Sequence, residues 1–262
     1  MPCFSAIMIT FNEERDLPQA LASLEGVADE VVVVDSSSTD RTVEIARDAG
    51  ARVVKRGFTN FAEQRNFGAS QSANDWVFVI DADEALSTEL RASLAAWKKS
   101  QPDCVAYAVA RRTNYLGGWI RHSGWYPEYS ARLQRRDLVH FEGAIHEAIV
   151  VNGNTGQLDG DLLHYSIRTL GEHYAKQDVF TTRAAEDLYA RGRYNWRAGM
   201  WSAPWTFFKR LVLQLGILDG YRGVVIAWTS ARYVWLKFRK LGVLVRGGKL
   251  EARPWPQAGD VQ

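Results

Sequence analysis

Short apolar runs alternate with helix-period segments through the first hundred residues. Residues 4–10 (Phe-Ser-Ala-Ile-Met-Ile-Thr) predict a first strand, and residues 16–25 a helix with Asp16 as N-cap and Pro18 in its first turn. Val31 to Val34 is an unbroken valine run, as expected of a strand buried on both faces of a parallel sheet. Thr39 to Ala49 predicts the next helix, ended by Gly50, and residues 52–54 a short third strand. A helix over about 60–72 leads into a fourth strand, Trp76-Val77-Phe78-Val79-Ile80. This alternation indicates an α/β fold with a doubly wound parallel sheet.

Beyond the fourth strand the pattern changes. Residues 87–99 predict a helix and Val105 to Ala110 a strand. Tyr115-Leu-Gly-Gly-Trp-Ile and Gly124-Trp-Tyr-Pro are hairpin and loop material. Arg132 to Arg136 and Val139 to Phe141 predict further short strands, and from about 169 the chain is helical. Three parts follow: an α/β domain over 1–168, a helical region over 169–246 and a poorly patterned tail over 247–262.

Charge sharpens that division. The net charge of +2 over 262 residues is unevenly spread. Residues 165–262 hold 16 Lys/Arg against 7 Asp/Glu, and residues 1–164 hold 16 against 23. Cys3 and Cys104 have no metal-site spacing and are expected as reduced, buried packing residues. No signal-peptide pattern is apparent at the N-terminus, and no apolar run approaches the roughly 18 residues of a spanning helix. A cytoplasmic location is the expectation. The chain has no Gly-x-Gly-x-x-Gly, Walker-type loop or zinc-site spacing, which argues against a dinucleotide oxidoreductase, a P-loop NTPase and structural zinc.

The most informative chemistry is Asp81-Ala82-Asp83-Glu84, directly after the fourth strand. Carboxylates crowding the end of a buried strand are costly without partners. Two aspartates at i and i+2 can share a divalent cation, and Mg²⁺ or Mn²⁺ favours such oxygen donors together with substrate phosphates. The alternative is an acidic loop before a helix, with Glu84 and Ser87 as capping residues. Polar residues also end the first strand (Thr10 to Glu14) and the second (Asp35 to Asp40), all on the rim where open α/β sheets bind ligands. Asp35 there could accept hydrogen bonds from a ribose or base. Ser37, Ser38 and Thr39 could equally be plain helix caps.

Four stretches together resemble the inverting, GT-A class of glycosyltransferase family 2: Ile9-Thr-Phe-Asn-Glu-Glu14, Val33-Val-Asp-Ser-Ser-Ser-Thr-Asp-Arg-Thr42, Gln64-Arg-Asn-Phe-Gly68 and Asp81-Ala-Asp-Glu84. Their order and spacing match across roughly the first 110 residues. Phe61-Ala-Glu-Gln-Arg-Asn66 and Gly143-Ala-Ile-His-Glu147 are similar to the WaaE-like glucosyltransferases of the bacterial lipopolysaccharide core. The resemblance implies a nucleotide-diphospho-sugar transferase fold with a Rossmann-like mixed sheet and a helical C-terminal appendage. It implies transfer of a hexose, glucose from UDP-glucose, to a lipopolysaccharide core or other glycolipid, with Mg²⁺ or Mn²⁺ as cofactor. Thr10, Asn12, Glu13, Asp35, Ser37, Arg65, Asn66, Asp81 and Ala82 would line the nucleotide-sugar pocket, and Asp83 would hold the metal.

Glu147 is the candidate general base, with His146 orienting it or touching the metal. Many relatives carry an acidic pair such as Glu-Asp at this stage, so the His-Glu pair is a departure from the wider family. His164 is a possible second metal or phosphate contact, or else a structural histidine. Asp137 and Glu142 compete with Glu147. An exposed helix face is the alternative reading of Arg65 and Asn66.

The basic C-terminal third is also rich in aromatic residues. Val224, Trp228, Ala231, Trp235 and Phe238 recur at helical spacing, with Arg and Lys elsewhere on the helix. Such a helix suits the cytoplasmic face of the inner membrane, so a peripheral location is expected. The same stripe could pack on the domain or on a second copy, which leaves a homo-oligomer open. No fold-specific motif supports nucleic acid as a partner. Two other functions remain: metal-dependent sugar nucleotidyl transfer, and a non-catalytic membrane-associated scaffold.

Overall fold

The computed structural model describes residues 1–143 and 148–251. The chain forms two units, Met1–Arg112 with Glu128–Tyr165, and Thr113–Pro127 with the chain from Ser166 onward.

The first unit begins as β1 (Phe4–Thr10), α1 (Leu17–Leu24), β2 (Glu30–Asp35), α2 (Thr42–Asp48), β3 (Arg52–Lys55), α3 (Phe61–Gln71) and β4 (Trp76–Val79). Its four strands are mutually parallel, in the order β3-β2-β1-β4. Residues alternate across β1 and β2. Phe4, Ala6, Met8 and Val33 enter one core, and Ile7 and Val32 enter another on the opposite face. That two-sided burial is why these strands read as continuous apolar runs. Phe4, Trp76, Phe78, Trp97 and Tyr107 form an aromatic cluster in the larger core, at centroid distances of 4.9–6.2 Å.

After β4 come β5 (Glu84–Leu86), α4 (Thr88–Trp97), β6 (Ala106–Tyr115), β7 (Gly118–Trp119), β8 (Glu128–Arg135), β9 (Val139–Glu142), β10 (Ala148–Val151) and β11 (Thr155–Ile167). The sheet continues from β4 through β8, β6 and β11 to β5, with antiparallel pairing of β8 to β4 and β6, and of β11 to β5. β9 and β10 form a separate antiparallel pair with Glu142 opposite Ala148. The result is a mixed α/β sheet, parallel at one end and antiparallel at the other.

Several expectations change. The acidic turn is followed by a strand, β5, rather than running straight into a helix. Ser87 does cap α4, accepting from Leu90 N at 3.2 Å. Glu84 is no cap; its side chain is used inside the first unit, as described below. α2 starts at Thr42, three residues later than predicted, because Ser37 to Asp40 form a loop. Asp16 occupies the N-cap of α1 but makes no capping bond, and Arg15 pairs with its carboxylate at 3.2 Å. Cys3 is exposed, not buried.

The second unit holds α5 (Leu170–Ala190), α6 (Gly199–Phe208) and α7 (Tyr221–Val245). A full capping box of Thr169 and Glu172 starts α5. One polar network is buried between α5, α7 and the end of β6. Gln177 Nε2 lies 3.2 Å from His173 Nε2 and donates to Thr229 O at 2.7 Å. Since Gln177 donates, His173 Nδ1 carries the ring proton and meets the Tyr115 hydroxyl at 2.7 Å. Burial, reinforced by Lys176 and Arg232, lowers His173 to about 4. The folded state thus resists a proton that the unfolded chain accepts near 6.5. Stability should therefore be full above about pH 6.5 and fall by about 3 kcal/mol as pH drops toward 4. Urea unfolding across that range tests this, and His173→Gln should flatten the dependence.

Candidate active site

β1, β2 and β4 run parallel, so their carboxyl ends gather polar loops on one rim of the first unit. The first two loops lock together. Asn12 and Ser37 both adopt left-handed backbone (φ 55 and 69), which Asn tolerates better than most residues. Asn12 N donates to Ser38 Oγ at 2.9 Å, and Thr39 N donates to Asn12 Oδ1 at 2.8 Å. Glu13 N donates to Thr42 Oγ1 at 2.7 Å. Asp40 takes hydrogen bonds from Glu14 N, Thr42 N and Thr42 Oγ1; they outweigh burial and hold its carboxyl below the usual range.

Asp35 is fully buried beneath this loop. It accepts from Ser37 N (2.9 Å), Ser38 N (3.0 Å), Ser38 Oγ (2.5 Å) and Thr10 Oγ1 (3.3 Å). In this conformation Asp35 is enclosed, and with Thr10 it shapes the loop above it. Ser37 is exposed at the loop's crest. Gln64, which sequence reading left without a role, is buried beside it and donates to Ser36 Oγ, Arg56 O and Gly57 O at 3.1–3.2 Å.

The acidic turn after β4 splits its carboxylates between different partners. Glu84 is buried, accepting from Asp81 N at 3.0 Å and from Arg132 Nη2 at 2.8 Å. Asp81 accepts from Arg65 Nη2 at 2.7 Å, and Arg132 Nη1 stands 4.0 Å away. Burial alone would raise Asp81, but the Arg65 and Arg132 guanidiniums hold it well below the usual carboxylate range. Burial pushes Glu84 up despite Arg132, and the Asp81 charge adds to the rise. Asp83 remains half-buried, with His164 Nε2 at 3.3 Å from its Oδ2. Pairing of β11 with β5 sets that contact: His164 lies opposite Glu84, and Tyr165 N donates to Asp83 O at 2.8 Å.

Other predicted site residues are placed differently. Both ends of the Asn66 amide are taken by the Phe141 backbone, at 2.8 and 2.9 Å, so Asn66 pins β9 to α3. Ala82 is buried in the larger core. Asp137 and Glu142 are exposed and paired with Arg135 and His140. His146 and Glu147 lie outside the described residues. Arg132 was missed: sequence gave it only a strand, because its partners are 48 and 51 residues away.

The glycosyl transferase family 2 model matches residues 5–152, which span β1 to β10 and carry the whole rim. The chain belongs to this family. Among its relatives, an uncharacterised glycosyltransferase of Rickettsia typhi is 31% identical, covering 94% of this chain and 90% of that protein. The lipopolysaccharide core biosynthesis glycosyltransferase LpsC of Rhizobium meliloti is 33% identical, covering 95% and 94%. A solved S. aureus TarS 1–349 structure superposes with TM-score 0.47 at 15% identity, covering 99% and 96%. Against a longer TarS structure the chain spans 39% of the solved protein, with TM-score 0.45. The mixed sheet of this family 2 glycosyltransferase and its helical second unit agree with the GT-A-type fold expected from the sequence.

The donor set of the acidic turn fits a hard divalent cation. Asp83 supplies a carboxylate and His164 an imidazole, both acceptable to Mn²⁺, with Mg²⁺ favouring the oxygen. No group of three His, Cys, Asp or Glu side chains forms a metal cage among the described residues. A cation there would need further ligands, such as phosphate oxygens and water.

Arg132 is the support of this turn. Arg132→Met should destabilise the protein by about 3–5 kcal/mol, since it strands buried charge. Without its partner Glu84 would hold a proton to still higher pH, so the deficit should shrink as pH falls from about 8 to about 5. Adding Glu84→Leu should recover most of the loss. Chemical unfolding at both pH values measures all three.

Proposed function

We propose that this family 2 glycosyltransferase catalyses inverting transfer of a hexose, glucose from UDP-glucose, to a lipopolysaccharide core or related glycolipid. The acceptor would be met at the cytoplasmic face of the inner membrane. The observation that carries the reading is the placement of Asp83 against His164 on the rim formed by the three polar loops. The family supports glycosyl transfer, and the similarity to LpsC over nearly the whole chain supports the acceptor class.

In the proposed reaction the acceptor hydroxyl oxygen attacks the anomeric carbon from the face opposite the leaving group. The new C–O bond forms as the bond to the β-phosphate oxygen breaks, and nucleoside diphosphate departs. The hydroxyl proton passes to the Glu147 carboxylate, so one positioned base suffices and no covalent enzyme intermediate forms. Asp83 and His164 would hold Mg²⁺ or Mn²⁺, whose Lewis acidity offsets charge on the departing diphosphate. Arg65 and Arg132 keep Asp81 ionised and charge-paired beside them. The Asn12–Thr42 loop pair, braced by Asp35, would frame the nucleotide. Asn66 acts at one remove, fixing the strand that leads toward Glu147.

Two variants test this with different readouts. Glu147→Gln should lower transfer by about 10²–10⁴-fold while donor affinity stays nearly unchanged. Asp83→Asn should abolish the extra thermal stabilisation that Mn²⁺ gives in the presence of UDP-glucose. Normal turnover in the first variant removes Glu147 as base, and an undiminished Mn²⁺ effect in the second removes Asp83 as ligand.

A further inference from the structure

We infer that the tip of the hairpin formed by α6 and α7, residues 211–221, inserts into the surface of an anionic phospholipid bilayer. This deepens the glycolipid-acceptor reading and rests on it for the presence of a membrane. The tip reads Leu-Val-Leu-Gln-Leu-Gly-Ile-Leu-Asp-Gly-Tyr, joining α6 to α7 through a π-helical turn (Lys209–Leu213) and a 3₁₀ turn (Gly216–Asp219). Leu213, Leu215, Ile217, Leu218 and Tyr221 are each more than half exposed. Single exposed apolar residues need no explanation, but a contiguous set of this kind marks an interaction surface.

The polar groups of the tip are directed into the second unit. The carboxylate of Asp219, the tip's one charged residue, is 3% exposed. It accepts from Arg121 N (3.0 Å), His122 N (3.1 Å) and Ser123 Oγ (2.9 Å), with His122 Nδ1 at 3.2 Å. Gln214 Oε1 accepts from Arg210 at 3.0 Å. The tip therefore shows water an uncharged, largely apolar crest, its one carboxylate turned inward. Its geometry is firmly held. Leu215 sits at φ 54, a left-handed conformation that a leucine adopts only under constraint. Any Cβ at Gly223 would strike the Gly216 carbonyl, so only glycine lets α7 start this close to the turn.

The flanks fit a bilayer interface. Trp201 is 81% exposed, and Trp205 and Phe208 follow at helical spacing on α6; Val224, Trp228 and Trp235 do the same on α7. Tryptophan is favoured at headgroup depth. Residues 199–245 carry seven Lys/Arg and one acid, the hidden Asp219; Arg210, Arg222, Arg232 and Lys240 are engaged within the second unit, and Lys209 and Arg239 are exposed. That balance complements anionic lipid, whereas a second copy would bring like charges together. No described helix is long and apolar enough to cross a membrane. The hairpin thus dips in from one side.

Sedimentation of the full chain with vesicles of phosphatidylethanolamine and phosphatidylglycerol tests the inference. Leu213→Glu/Ile217→Glu/Leu218→Glu should weaken partition on the order of a hundredfold, with the melting temperature unchanged. The milder serine triple variant should show a smaller loss in the same direction. In the native chain, lipids brominated near the headgroup should quench tryptophan emission. Glutamate and serine variants that bind like the native chain would overturn the inference. So would a concentration-dependent dimer, seen by sedimentation velocity, that the substitutions abolish while vesicle binding persists. A native chain that ignores vesicles yet glycosylates detergent-dispersed glycolipid sinks the insertion alone. One that binds vesicles through the tip but transfers no sugar sinks the functional reading alone.

Discussion

The acidic turn on the rim of the first unit depends on compensating charge buried at the end of β4. Glu84 is enclosed with Arg132 2.8 Å away, and the same guanidinium reaches toward Asp81 and the carbonyl of Val79. Enclosing a carboxylate is affordable only with a partner of this quality, because the desolvation cost otherwise exceeds any local gain. The pair then acts as a peg. It fixes the turn between β4 and β5 to β8, and that fixes where Asp81 and Asp83 can stand. Arg65, delivered from α3, completes the neutralisation of Asp81. Two aspartates one residue apart thereby acquire unlike states. One is locked in ion pairs, and the other is left beside a histidine.

Much of this was legible in the chain, for a physical reason. Strands buried on both faces must be apolar throughout, so β1, β2 and β4 announce themselves over a few residues, and their polar ends locate the rim. β5 and β11 are less visible. β5 is three residues long and begins with Glu84, while β11 mixes Gly, Asp and His with its leucines, since one part of it packs on β5 and the rest is half-exposed. For Glu84 the alternative of capping arises because caps are local and its true partner, Arg132, is not. Arg132 was invisible as a site residue for the same reason. Asp35 and Asn66 show the converse limit: a motif singles out residues without saying that their side chains are spent on holding neighbouring backbone.

The second unit makes a related point about periodicity. The spacing of Val224, Trp228, Ala231, Trp235 and Phe238 correctly marks an apolar stripe on α7. A stripe normally faces the core. Here Val224, Trp228 and Trp235 are exposed, and the buried face is built instead from Gly223, Ile226, Ala227, Leu241 and Gly242. Small residues let α6 and the Trp196 turn approach α7 closely, which hydrophobicity alone would not reveal. The helix is therefore apolar on two faces, and among the described residues only one of them is covered.

That second face also bears on why α7 tolerates its cations. A helix with exposed tryptophans and no acidic residue between Gly220 and Val245 would be a liability in water if it were merely unfinished. Several of its cations are instead held by defined acceptors: Arg222 by the carbonyls of Tyr115 and Leu116, Arg232 by Gln177, and Lys240 by Asp178, Thr181 and Thr182. These bonds anchor α7 along its length and leave its aromatic face in place, uncovered by the described residues. Random exposure would not combine a rigidly seated helix, an apolar tip and a concealed carboxylate. That combination is what the proposed insertion into a low-dielectric, negatively charged boundary rests on.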